Sequence, residues 1–109
     1  MVEIELPVCV KLKKNGDTII SATHPDQVTR LEGNWYFHPS LIDQHSLVVT
    51  DRLYTCPYKG TCNWVDYEKS GLYLPDVAWV YPETLPDYRH IAGWYGFYPS
   101  TIYYDTGAC

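Results

Sequence analysis

Eight prolines and seven glycines spread over 109 residues constrain this chain more than any other feature. Proline has no amide hydrogen and clashes inside a helix, and glycine costs about 1 kcal/mol there relative to alanine. Their spacing leaves no uninterrupted stretch for a long helix, so the fold must be built from short pieces joined by turns. The first piece alternates: Cys9, Lys11 and Lys13 fall on one side, Val10 and Leu12 on the other. That two-residue period is the mark of a strand. Asn15-Gly16 then predicts a type I′ hairpin, whose two central residues both need a positive φ.

The rest of the chain repeats this pattern. Residues 18–22 return as a second strand, residues 28–32 form a third closed by Gly33-Asn34, and residues 35–37 a fourth halted by Pro39. Residues 40–44 read as one helical turn capped by Ser40. Residues 47–50 and 53–56 are strand pieces bent around Asp51-Arg52, residues 57–60 reverse the chain, and residues 62–67 run back. Lys69-Ser70-Gly71 is a turn, residues 77–81 an apolar run short enough for a buried strand, and residues 97–104 a last strand. Residues 82–93 are the one helix candidate, opened by Pro86-Asp87 and stopped by Gly93. The expected fold is mainly β. It is a small single-domain sheet sandwich or open barrel of short antiparallel strands over residues 1–109, with one short helix near 84–93.

Composition then removes whole classes of function. Hydrophobic residues make up 46% and charged residues 19%, which excludes a disordered chain. No apolar run approaches a membrane span of about 18 residues, so no membrane partner is expected. A net charge of −5 leaves no basic excess to track a phosphate backbone, so nucleic acid is not expected either. Residues 1–5 carry two glutamates and no basic segment, unlike a secretory leader. A reducing, cytoplasmic setting follows as the expectation, with Cys9, Cys56, Cys62 and Cys109 as free thiols and Cys109 an idle one. A disulfide between Cys56 and Cys62 is geometrically conceivable across their hairpin, with reduced thiols the preferred reading. The histidines show no ligand spacing, so no metal and no cofactor are expected.

Two segments could carry chemistry. TCPYKGTC, residues 55–62, sets a thiol, a phenol and an amine on one tight loop between strands. Cys56 becomes nucleophilic if Lys59 or Arg52 lowers its pKa, and Lys59 could form a Schiff base if desolvated, with Tyr58 or His38 moving protons. Pro57 and Gly60 are equally turn formers, with Cys56 a buried strand end and Lys59 an exposed charge. The second segment is the aromatic run from Trp79 to Tyr98. With Tyr36 and Trp64 it supplies more large rings than a core of this size needs, so some of them are expected to line a pocket. Tyr103-Tyr104 alternates in and out of an edge strand, a candidate homodimer contact.

CPYKG (residues 56–60), AWVYPE (78–83), IAG (91–93) and FYP (97–99) together resemble the family catalogued as domain of unknown function 427. NGDTIISAT (15–23) and GNWYFHPSLI (33–42) are similar to its opening hairpin and aromatic segment. The resemblance implies a small, mostly β protein with no established general reaction. The nucleotidyltransferase-like label sometimes attached to such proteins finds no support: the chain has no Asp-x-Asp and no Gly-Ser followed by paired aspartates. Cys62 stands where the family leads one to expect a small residue, and Trp94-Tyr95-Gly96 is bulkier than usual.

Three readings of function follow. The first is a small-molecule-binding module whose ligand touches Tyr36, His38, Tyr58, Lys59, Trp64, Trp79, Tyr81 and Tyr98. The second is a small enzyme with Cys56 or Lys59 as nucleophile, and the third a structural homodimer.

Overall fold

A computed structural model describes residues 5–107 and 109 of the chain. Residues 1–4, most of the stretch read above as no leader, lie outside the described residues. Among the described residues, nine strands form two antiparallel sheets. β1 (Val8–Leu12), β2 (Thr18–Ala22) and β9 (Ile102–Thr106) make a three-stranded sheet in the order β2-β1-β9. β3 (Val28–Leu31), β4 (Asn34–Phe37), β5 (Leu47–Cys56), β6 (Gly60–Lys69), β7 (Leu72–Val80) and β8 (Tyr95–Phe97) make a six-stranded sheet in the order β3-β4-β8-β7-β6-β5. The sheets face each other as an open sandwich, with Val8, Val10, Leu12 and Ile20 packed on Phe37, Val65, Val80 and Phe97. Among the described residues no helix is long and apolar enough to cross a membrane.

Local geometry departs from the sequence reading at several points. Asn15-Gly16 does lie in the β1–β2 hairpin, but of the pair only Gly16 has a positive φ. Gly16 N–H donates to Leu12 O at 2.8 Å, and Leu12 N–H to Asp17 O at 2.9 Å, so the loop is longer than a two-residue turn. The two-residue type I′ turns are instead Glu32-Gly33 and Ser70-Gly71, where both φ values are positive. The helix expected near 84–93 is a 3-10 segment, Pro86–Ile91, broken at Tyr88. The helical turn expected at 40–44 is Pro39–Leu41, capped by His38 rather than Ser40. The last strand divides: β8 ends at Phe97, and β9 begins at Ile102 in the other sheet. In β9, Tyr103 points outward while Tyr104 stacks on Phe37.

Cys109 is not an idle thiol. It forms a disulfide with Cys9, with Cα atoms 6.0 Å apart. β9 pairs antiparallel with β1, Thr106 opposite Val8, which returns the end of the chain to its beginning. Their separation of 100 residues hides this proximity in the sequence. The bond also removes the argument from free thiols for a reducing compartment.

β6 organises the larger sheet because both of its neighbours bulge against it. Val49 pairs with Val65 and Leu53 with Asn63, so Thr50, Asp51 and Arg52 face Trp64 alone. On the other side Tyr67 pairs with Leu74 and Val65 with Ala78, so Pro75, Asp76 and Val77 face Asp66 alone. One carboxylate ties both bulges. Asp66 accepts from Arg52 of the first, from the Asp76 N–H of the second at 3.0 Å, and from the Tyr73 hydroxyl at 2.7 Å. Arg52 also donates to Asp76 at 2.7 Å. Burial works against the Asp66 charge, but these donors outweigh it and hold its pKa below the ordinary 3.8.

Asp66→Asn should therefore cost about 2 kcal/mol at neutral pH, less than a fully buried pair because Arg52 is half in water. The depressed pKa makes the stabilisation complete above 3.8 and lost as pH falls through the folded value. Urea unfolding at neutral pH and at about pH 3 should show the gap between variant and parent shrinking in acid. A gap independent of pH would sink this account.

Candidate functional site

The face of the six-stranded sheet turned away from the core carries a row of rings. Tyr36 lies opposite Gly96, Gly96 opposite Trp79, and Trp79 opposite Trp64, on β4, β8, β7 and β6. Directly opposed residues share a face, so all four project to the same side. Gly96 makes the row possible. A Cβ there would lie 2.6 Å from the Trp79 ring, which leans over β8 where no side chain stands. From that position the Trp79 Nε1–H donates to the Tyr36 hydroxyl at 3.3 Å. Tyr36, Trp79 and Trp64 meet edge to face at 6.2 and 6.1 Å, and Tyr98 tilts onto Trp64 at 6.0 Å.

A second tier stands beside this row. Tyr54 is paired with Cys62, Cys56 with Gly60, and Tyr81 follows the end of β7. Together with Asn34 and Lys59 they surround a concavity of about 440 Å³ above the rings. Its floor is anchored, because Tyr36, Cys62, Tyr81 and Ile91 form a small second core. Burial pushes the pKa of Tyr36 and Tyr81 up, so both present neutral hydroxyls to the site. It also raises Cys62 and keeps that thiol protonated.

Lys59 is committed to a partner. Its ammonium pairs with Glu32 in the β3–β4 turn and lies 5.1 Å from the centre of the Tyr88 ring. The Tyr88 hydroxyl donates to Glu32 at 3.4 Å. Partial burial favours the neutral amine, but Glu32 outweighs it and raises the Lys59 pKa. A protonated amine is no nucleophile, so this arrangement does not serve a Schiff base. Glu32 reaches the lysine with a φ of +52°, an unusual conformation for a residue with a side chain.

Cys56 differs. Partial burial opposes its ionisation, but the backbone N–H groups of Tyr58 and Lys59 and the Lys59 charge together lower its pKa. The loop thus folds its own amides around the sulfur, as a turn does for an anion. Arg52, the other cation considered for this thiol, is engaged by Asp66 and Asp76 instead.

Of the residues singled out from sequence, Tyr36, Cys56, Lys59, Trp64, Trp79, Tyr81 and Tyr98 surround this one concavity. Tyr58 does not: the residue is 70% exposed, and its amide faces the Cys56 sulfur instead. His38 is also elsewhere, its Nδ1 accepting from the Ser40 N–H at 3.0 Å and its ring against Trp94. Sequence reasoning missed Asn34, Tyr54 and Glu32. The Tyr54–Cys62 pairing could have been found from the hairpin register, whereas Glu32 meets Lys59 only in three dimensions. A further depression of about 460 Å³ behind Gly60, lined by residues 82–85, offers no aromatic surface.

Comparison with known proteins gives a family and no activity. A family model described as a domain of unknown function (DUF427) matches residues 4–106. No curated protein matches the chain.

Gly96→Ala tests the construction of the site. The added methyl group meets the rigid indole of Trp79 and must displace it, at a cost of about 1–3 kcal/mol. Near-ultraviolet circular dichroism should lose the signal of the coupled indoles while the far-ultraviolet spectrum is kept. An unchanged near-ultraviolet spectrum would show that the rings do not depend on the glycine.

Proposed function

This chain belongs to the family of domain of unknown function DUF427, and from the chemistry of its own concavity we propose that it binds a small, planar, largely apolar organic molecule. The observation that carries the reading is the aromatic row held in place by Gly96. Trp79 and Trp64 meet edge to face at the base, Tyr98 stands at the side, and about 440 Å³ lies above them. That volume is in the range of small-molecule sites. Tyr36, Tyr81 and Asn34 supply neutral polar atoms for the ligand's edge. Because Glu32 already neutralises Lys59, the site does not call for an anion.

Trp fluorescence and thermal shift against a library of planar aromatic compounds test the reading. A true ligand quenches the indoles, raises Tm, and binds about tenfold more weakly to Tyr98→Ala, the loss expected for one ring contact. Trp79→Ala should abolish binding. A ligand held equally by the parent and both folded variants, or a library without a ligand at millimolar concentration, would refute it.

A second reading, an enzyme with Cys56 as nucleophile, is favoured by the two amides that face its sulfur. It requires iodoacetamide at neutral pH to modify Cys56 faster than an ordinary thiol, because the lowered pKa leaves more of it as thiolate. Ordinary kinetics would end it.

A further inference from the structure

Cys56 and Cys62 are the free thiols of the described chain, and one hairpin carries both. The Thr55–Thr61 pair lies between them, with Cys56 opposite Gly60 and Cys62 opposite Tyr54. They are therefore diagonal neighbours on the same face, and both border the aromatic concavity. Their settings differ in the way a two-step reaction requires. Cys56, at the end of β5, is partly open to solvent, whereas Cys62 is 2% exposed beneath it. The lowered pKa of Cys56 and the raised pKa of Cys62 agree with this division.

We propose that Cys56 and Cys62 form a hydroperoxide-responsive dithiol, in which Cys56 takes up the oxygen and Cys62 closes a disulfide across the β5–β6 hairpin. In the first step the Cys56 thiolate attacks the terminal oxygen of a hydroperoxide. The O–O bond breaks, an S–O bond forms, and the alkoxide or hydroxide leaves and takes a proton from solvent. Cys56 is now a sulfenic acid. In the second step the Cys62 sulfur attacks the Cys56 sulfur, the S–S bond forms, and the S–O bond breaks. The departing hydroxide leaves as water with the Cys62 proton. The balance is two thiols oxidised to one disulfide, and one peroxide reduced to an alcohol, or water, plus water.

Geometry also gives the bond its character. Diagonal Cα atoms of an antiparallel pair lie about 7–8 Å apart, slightly beyond the roughly 6.8 Å upper limit of ordinary disulfides. Closure therefore draws the hairpin end inward, and a disulfide formed under that strain is readily reduced. The pair thus behaves as a reversible couple, distinct from the Cys9–Cys109 bond between β1 and the end of the chain. The two sulfurs also border the concavity, so oxidation narrows it. The proposal rests on the hairpin and holds whether or not the rings bind a ligand.

The test uses the full chain with Cys9–Cys109 intact and hydrogen peroxide at neutral pH. Peptide mapping without reductant should show the chain losing two hydrogens and Cys56 joined to Cys62 within one molecule. In Cys62→Ser, or Cys62→Ala should the serine variant not fold, Cys56 should accumulate as a dimedone-reactive sulfenic acid. It should form about tenfold faster than from free cysteine. Cys56→Ser should leave Cys62 unreacted over the same time. Sulfinic acid at Cys56 of the parent without a disulfide, a bond between two molecules, or equal rates in the two single variants would overturn the proposal. Tryptophan fluorescence of the reduced parent protein with the planar aromatic library reads the binding site separately, so either reading can fail alone.

Discussion

The Asp66 carboxylate is the interaction on which the working face depends. It sits in β6 and holds a bulge in each neighbouring strand, through Arg52 on one side and the Asp76 amide on the other. In each bulge three residues oppose one, so the strand gains an even number and the alternation of faces is preserved past it. A gain of one would turn every later side chain to the opposite face. Tyr54 and Cys56, past the β5 bulge, or Trp79, past the β7 bulge, would then be aimed into the core, and Val80 into the site. A charged group at a cost in desolvation is thus what keeps rings outside and aliphatic side chains inside.

The site itself arises from space left free in the sheet. Gly96 leaves a gap, Trp79 fills it sideways, and Tyr36 receives the indole N–H. Tyr36, Trp79, Trp64 and Tyr98 thereby form one continuous surface across four segments of chain that are distant in sequence. The Glu32–Lys59 pair closes one side of it and ties the β3–β4 turn to the β5–β6 loop. Positive φ at Glu32 and Asp76 falls at these two anchoring points, which is where a fold tends to store backbone strain.

The sequence announced the strands wherever side chains alternate, and the hairpin turns wherever glycine occupies them. It also pointed to most of the residues around the concavity, because rings and the loop thiol are recognisable by type. What it could not convey depends on pairing across the sheet. The β5 pieces bent around Asp51-Arg52 are a single strand whose bulge is explained only by Asp66. His38 looked like a site residue beside Trp35 and Tyr36, but the backbone turn at Pro39 claims its ring nitrogen first. Lys59 looked like an exposed charge because Glu32 is far away along the chain. Cys109 looked idle because the strand pairing that carries it to Cys9 involves the two ends of the fold.

The Cys9–Cys109 bond has a mechanical consequence as well. Every strand except the first residue of β1 lies within the covalent ring that it closes. Tension applied between the chain before Cys9 and Cys109 itself would pass through the sulfur–sulfur link, leaving both sheets and the aromatic concavity unloaded. While the bond is oxidised the fold does not extend under that pull. Once it is reduced, the same pull would act along β1 and β9, whose antiparallel pairing closes the smaller sheet.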